Sequence, residues 1–283
     1  MHLTDFTYNY FSDLNSSSEN QKKSSAGRPR AVGLQEAMFI TLVRLRRGMA
    51  ERTLAHLYGI SQSTISTTII TFVNFLFLQL GSLNIFPTKQ IVRDNMASCF
   101  KSLYPETRII LDATEITIET PSSLAKQSMP FSSYKQRNTL KGLIGISPTL
   151  AVCFVSQLYT GAISDREITE RSGVLDLPYD VGDCIMADKG FTISDLVEPK
   201  GLKLNIPPFL KDRGALNPTE IIETQEIASV RIHIERAIRR VKSFHILDGV
   251  IDATMYGTIN QIWSVCCLLT NFMDPLINSS QGN

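Results

Sequence analysis

Residues 231–247 read RIHIERAIRRVKSFHIL, and how this stretch folds decides what the rest of the chain must supply. At about 100° per residue, Ile227, Val230, Ile234, Ala237, Ile238 and Val241 share one arc, the pattern of an amphipathic helix with one face on a core. Arg231, Glu235, Arg239 and Lys242 form the neighbouring stripe, at spacings that stack side chains along one line. Glu235 is thus a lone carboxylate among bases, at the rim of whatever the helix packs on. Taken alone, the stripe has two readings. Arg231 and Arg239 bridge Glu235 on a solvated face, or Glu235 joins acids delivered by other elements.

Upstream, Asn217-Pro218-Thr219-Glu220 is a helix start, an Asn cap with Pro at the first position and Glu at the third. Residues 202–206 form a strand stopped by Pro207-Pro208, and residues 183–188 (DCIMAD) a short buried strand that ends on Asp188 and runs into Lys189-Gly190-Phe191. Ser164 with Glu167 opens a helix to about residue 174. Residues 132–146 and 150–158 read as two strands of an antiparallel meander, joined by Ser147-Pro148-Thr149. Before them, residues 108–119 (RIILDATEITIE) are a strand with Asp112 inside it, although Asp is depleted in strands. Glu115 falls on the opposite sheet face. Downstream, residues 259–272, with the single Trp263, read as a closing core helix.

The order is three strands, helix, strand, helix, strand, helix. It can bring Asp112, Asp188 and Glu235 to one edge of a mixed sheet. Three carboxylates that close repel one another unless cations bind. Oxygen ligands select Mg²⁺ or Mn²⁺, and two such ions suit phosphodiester transfer, activating a water or 3′-hydroxyl and stabilising the leaving oxygen.

The chain has 283 residues, 43% hydrophobic and 19% charged, enough for one large core and a small satellite. No uninterrupted apolar run approaches the roughly 20 residues of a membrane span, so no membrane partner is expected and an intracellular location is. The five cysteines lack zinc-ligand spacing. Net charge is only +1, but residues 21–52 carry eight bases against two acids, so a positive field is concentrated near the N-terminus.

Residues 1–32 are expected to be a disordered basic tail. Its Gly27-Arg28-Pro29-Arg30 resembles an AT-hook that lays Arg28 and Arg30 in a narrow minor groove; a solvated linker or a nuclear import signal explains it as well. Residues 33–82 read as three helices. The second runs over residues 50–57, Gly59 makes the turn with Ile60 buried in it, and Ser61 caps the third. This is a helix-turn-helix pattern, which would present Gln62, Ser63, Thr64 and Ser66 to base edges with Thr67 and Thr68 near phosphates. The alternative is a helical hairpin that only packs. Residues 72–80 are apolar nearly all round and should dock on the larger domain or a second subunit. Residues 83–105 read as a connector with one helical stretch at 90–102, residues 106–276 as the main domain, and 277–283 as a tail.

Leu111-Asp112-Ala113-Thr114-Glu115, Tyr134-Lys135 with Asn138-Thr139-Leu140-Lys141, Gly145-Ile146-Ser147-Pro148, Gly161 with Ser164-Asp165, Ala187-Asp188-Lys189-Gly190-Phe191, Leu204-Asn205-Ile206-Pro207-Pro208 and Arg231-Ile232-His233-Ile234-Glu235-Arg236-Ala237-Ile238 together resemble the DDE superfamily endonucleases. They look closest to the PIF/Harbinger-related transposases and their domesticated descendants. The resemblance implies an α/β, RNase H-like catalytic domain behind the all-α helix-turn-helix module. It implies metal-dependent cleavage and transfer of double-stranded DNA at transposon terminal repeats in the nucleus. Asp112, Asp188 and Glu235 match the catalytic acids, none substituted. Asp165 is either a polar helix entrance or an accessory metal or water contact. Lys135, Arg137, Lys141 and Lys189 suit phosphates near the metals, although a solvated strand face explains the first three; Arg231 and Arg239 are DNA-contact candidates flanking the late acid. A homo-oligomer follows from the need to hold two DNA ends, and an accessory DNA-binding protein is a further partner. The competing class is a domesticated, catalytically silent DNA-binding or adaptor protein.

Overall fold

The computed structural model describes residues 31–120, 131–132, 135, 137–208 and 217–276. The basic tail with Arg28 and Arg30, and the tail at 277–283, lie outside them. Helices α1 (Leu34–Arg47), α2 (Glu51–Tyr58) and α3 (Gln62–Gly81) build the N-terminal module. Gly59 ends α2 at φ +65°, a left-handed conformation that a residue with a Cβ adopts only at a cost of about 1 kcal/mol. Ser61 then caps α3, its Oγ accepting from the Thr64 N–H at 3.1 Å. Local chemistry therefore sets the helix-turn-helix, with Ile40, Leu45, Leu54 and Ile65 fully buried beneath it; Ile60, expected to be buried, is half-exposed.

The apolar half of α3 buries Phe72, Val73 and Leu80 and packs on α9 (Ile259–Leu269) of the larger domain. One continuous core runs from Ile40 through Phe72 to Trp263. By length and mean hydropathy (20 residues, 1.5) α3 would also pass for a membrane span; in the structure its first half is rich in hydroxyls and it packs on α1, α2 and α9. The expected connector is more than that. It holds two helices, α4 (Lys89–Asn95) and α5 (Ser98–Leu103), separated at Met96-Ala97 because both residues are extended. Val92, Met96 and Phe100 are buried, and Lys89 pairs with the fully buried Asp183 at 2.7 Å.

Among the described residues the sheet has strands β1 (Thr107–Ile118), β2 (Phe131–Ser132), β3 (Arg137–Ile146), β4 (Val152–Val155), β5 (Tyr159–Thr160), β6 (Cys184–Met186), β7 (Lys203–Asn205) and β8 (Val250–Ile251). Their order is β2-β3-β1-β6-β7, with β4 and β5 on β3 and β8 on β1. β1, β3 and β4 are antiparallel, while β6 and β7 run parallel to β1. An antiparallel meander extended by parallel strands on the far side of its first strand is the RNase H-like arrangement, as the sequence leads one to expect.

Several boundaries differ. The second long strand starts at Arg137, not at 132, and the third stops at Val155. There the Ser156 hydroxyl accepts from the Leu143 N–H at 2.8 Å and donates to the Gln157 carbonyl at 2.6 Å, replacing ladder bonds. The helix expected over 231–247 is α8 (Pro218–Lys242), opened by a reciprocal Asn217–Glu220 capping box; His245–Leu247 is a separate 3-10 turn. α8 lays Val230, Ile234, Ala237 and Val241 on the sheet face that carries Ile110, Ile116 and Ile144. The other face, with Ile109, Leu111 and Leu143, is covered by Ile168 of α6 (Asp165–Arg171), Val174, Phe191 and Val197.

Candidate active site

β1 and β6 pair in parallel with Ile110 opposite Met186. Two residues further on in that register, Asp112 lies beside Asp188. The pairing has ended there, and among the described residues β1 meets no strand on that edge until Thr117 pairs with Val250 of β8. The two acids thus emerge in a break in the sheet edge, at the carboxyl end of β6, where open α/β sheets form crevices.

Asp112 is half-buried and accepts a hydrogen bond from the Ala113 N–H at 2.9 Å. Burial pushes its carboxyl up to about 6; Arg231 and the Ala113 bond oppose this, and the charges of Asp188 and Asp165 reinforce it. Asp188 is half-exposed and accepts from the Lys189 N–H at 2.7 Å and from Arg231 Nη1 at 3.1 Å.

Arg231 therefore does not bridge Glu235. It spans from α8 to Asp188, with 12% of its side chain exposed and its buried Nε without a partner. Glu235 stands one turn further along α8, exposed. One side-chain line on from it, Lys242 is close enough to Asp112 and Glu115 to feel both charges; burial and then Lys135 lower its pKa, and the acids raise it. Along α8, Glu235 thus lies between the arginine that touches Asp188 and a lysine that senses the charges of Glu115 and Asp112. Lys242 is the site residue missed by sequence reasoning, although its i+7 spacing from Glu235 was visible.

Asp165 begins α6 behind its Ser164 cap, as a polar helix entrance requires. Its side chain does more than solvate a helix end. Lys141 Nζ holds one carboxylate oxygen at 2.8 Å. The other lies against Gly190, in the turn after Asp188, where an added Cβ would come within 2.8 Å of it. Glu115 falls in register opposite Lys141, and its Oε2 accepts from the Thr139 hydroxyl at 2.5 Å, on the face opposite Asp112 as expected.

The residues proposed for base contact divide into two groups. Gln62 and Ser66 line a cleft between α3 and residues 252–262. Ser63 and Thr64 instead engage the Ser61 hydroxyl at 2.9 and 2.8 Å. Lys135 and Arg239 are exposed and Lys189 half-buried.

Among the described residues no three acids, histidines or cysteines stand close enough to hold a metal ion with the side chains as they lie. The donor chemistry nevertheless fits a hard cation. Asp112 is pushed upward by burial and by neighbouring acids, and Asp188 is met by a guanidinium with an unsatisfied buried nitrogen. Glu235 is exposed on α8, one turn beyond Arg231.

The family model described as DDE superfamily endonuclease matches residues 111–271, more than half of the chain and the span that contains Asp112, Asp188 and Glu235. The chain belongs to the DDE superfamily endonucleases. The helix-turn-helix of DDE superfamily endonuclease matches residues 30–82 of this DDE chain, the module of α1 to α3. A probable transposase for insertion sequence element IS702 from Microchaete diplosiphon is 25% identical over 247 residues, covering 86% of this chain and 82% of its own length. Among solved structures, the Mos1 transposase paired-end complex with left transposon end overlaps 96% of this chain and 88% of its own at 12% identity. Its TM-score of 0.24 is too low to carry an argument.

Proposed function

We propose that this DDE chain is a metal-dependent endonuclease and transposase that cuts and rejoins DNA strands at transposon ends, with Asp112, Asp188 and Glu235 as its catalytic acids. The observation that supports the reading is the parallel β1–β6 register, which brings Asp112 next to Asp188, with the helix that bears Glu235 packed on β1. Relatives of transposase type support the DNA substrate; the PIF/Harbinger subgroup, nuclear location and an accessory DNA-binding protein belong to the same proposal.

The three acids would hold Mg²⁺ or Mn²⁺, two ions in all, which supply Lewis-acid activation of the attacking oxygen and charge stabilisation at the leaving one. The chain's own groups do the rest. Partial burial of Asp112 makes neighbouring charges act more strongly on its carboxyl. Lys242 and Arg231 add positive charge beside the acids and would hold the phosphate to be cut; Arg231 must first leave Asp188. Lys141 fixes Asp165, whose carboxylate orients the Asp188–Gly190 turn. α3 positions the DNA by reading bases from Gln62, Ser63, Thr64 and Ser66, and two DNA ends require at least a dimer.

The test is cleavage of terminal-repeat DNA with Mg²⁺ or Mn²⁺, wild type against Asp188→Ala. The catalytic reading expects a loss of at least about a hundredfold, since removing a group that stabilises transition-state charge costs that much. Equal activity in the two proteins leaves the second reading, a silent DNA-binding adaptor. That reading is favoured by the Arg231–Asp188 pair, which answers the acid's charge with a side chain.

A further inference from the structure

Along α8 beyond Glu235, Arg236, Arg239 and Arg240 line an open groove of about 830 Å³ with Arg46 of α1, Ser243 and Asp274. Four guanidinium groups face one carboxylate. Among the described residues no acid pairs with any of the four. Arg46 Nη1 donates to the Ser243 carbonyl at 3.0 Å and to its hydroxyl, and the guanidinium lies 5.6 Å from the centre of the Phe244 ring. Arg240 donates to the carbonyls of Asp274 and Pro275. These bonds orient the cations without neutralising them. Attraction to the negative end of α8 explains Arg239 and Arg240, both in its last turn. It does not explain Arg46, which enters from another element, or Arg236, almost two turns from the end. Like charges at i and i+4, as in Arg236 and Arg240, destabilise a helix, so an assembly of this kind is suited to an anion.

We propose that this groove is a backbone-phosphate cradle for duplex DNA, joining the helix-turn-helix module to the acidic edge. DNA is the polyanion favoured because the groove's cations come from the helix-turn-helix module (Arg46) and from the helix that carries Glu235, with residues 272–274 and 276 completing its lining. Arg239 is one turn past Glu235, so a strand lying in the groove leads directly onto the rim of the acid site. The cradle rests on the DNA-acting reading above but is independent of catalysis. It is sequence-blind, because guanidinium–phosphate bonds position a duplex without reading it.

The experiment measures binding of the full chain to duplexes of unrelated sequence by fluorescence anisotropy across a NaCl series. Arg236→Gln/Arg239→Gln, two side chains with no partner among the described residues, should flatten the slope of log K against log [NaCl] by about 2, near 0.9 for each phosphate no longer neutralised. The weakening should be the same for every sequence, and Arg46→Lys should keep the wild-type slope. Arg171→Gln, an exposed arginine paired with Glu167, should change nothing. Binding is read in metal-free buffer, without cleavage, so a failure of the nuclease reading leaves this one standing. A wild-type slope in the double variant, with an unchanged melting curve, overturns the cradle. So does intact DNA binding with abolished binding of poly-L-glutamate, which would assign the groove to an acidic protein partner.

Discussion

Asp112 carries a measurable conflict between stability and chemistry. Its carboxyl is raised from 3.8 to about 6, first by burial, so the folded state holds its proton more tightly than the unfolded state does. Stability contributed by this group is therefore highest at low pH. It falls as pH rises from about 4 to about 6 and is flat above, a total of up to about 3 kcal/mol. In metal-free buffer Asp112→Asn should melt higher than wild type at pH 7.5 and equal to it at pH 4; melting curves that run parallel across this range contradict the assignment. Adding Mg²⁺ should raise the wild-type midpoint and leave that of Asp112→Asn unmoved. Gly190 matters for a steric reason. Its Cα sits where a Cβ would strike Asp165 Oδ2, so Gly190→Ala should slow DNA cleavage about tenfold or more by turning Asp165 away from Asp188, with KM for DNA little changed. The Gly190→Ala/Asp165→Asn double variant should be no slower than the worse single variant; fully additive losses would separate the two residues.

Among the elements, α3 depends on its first turn. The Ser61 cap satisfies the Thr64 N–H and gathers the Ser63 and Thr64 hydroxyls, so Ser61→Ala should cost about 1 kcal/mol in denaturant unfolding. It should also loosen sequence-specific DNA binding through the frayed helix start. Gln62→Ala should weaken binding to the terminal repeat more than to random duplex; equal loss on both would restrict Gln62 to backbone contact. These local features were legible because each is set within a few residues: Gly59 for the left-handed turn, Ser61 and Asn217 for the caps, the 3.6-residue period for α8. Strand limits were not. Nothing between residues 150 and 158 announces that Ser156 turns its hydroxyl into the ladder and cuts the strand at Val155, because that depends on Leu143 across the sheet.

The whole molecule folds around a core that α3 and α9 share with the sheet. Trp263 is fully buried, its Nε1 donates to the Ser156 carbonyl at 3.0 Å, and its ring occupies the space a Cβ on Gly142 would need. Trp263→Ala should therefore cost about 3–5 kcal/mol. Because Phe72 and Val73 reach the same core from the N-terminal module, calorimetry should record one unfolding transition for module and sheet together, lowered as a unit by this variant. Two separable transitions would show that the helix-turn-helix folds on its own. The coupling matters for the proposed function: a module tied to α9 and touching the end of α8 through Arg46 and Ser243 would hold bound DNA in a set direction relative to the proposed acids.

The sequence by itself determined the helix-turn-helix, the α/β order, the amphipathic α8 and the resemblance to the DDE endonucleases that nominates the three acids proposed above, since all of these are encoded in local periodicity, caps and ordered signatures. Tertiary structure alone decided which groups meet. Asp112 and Asp188 are 76 residues apart and become neighbours through one parallel register. Arg231 chooses Asp188 over its own helix neighbour, Lys141 takes Asp165, and four arginines from two elements line one groove. Side-chain partners of this kind are set by the packing of distant segments, and no spacing along the chain encodes that distance.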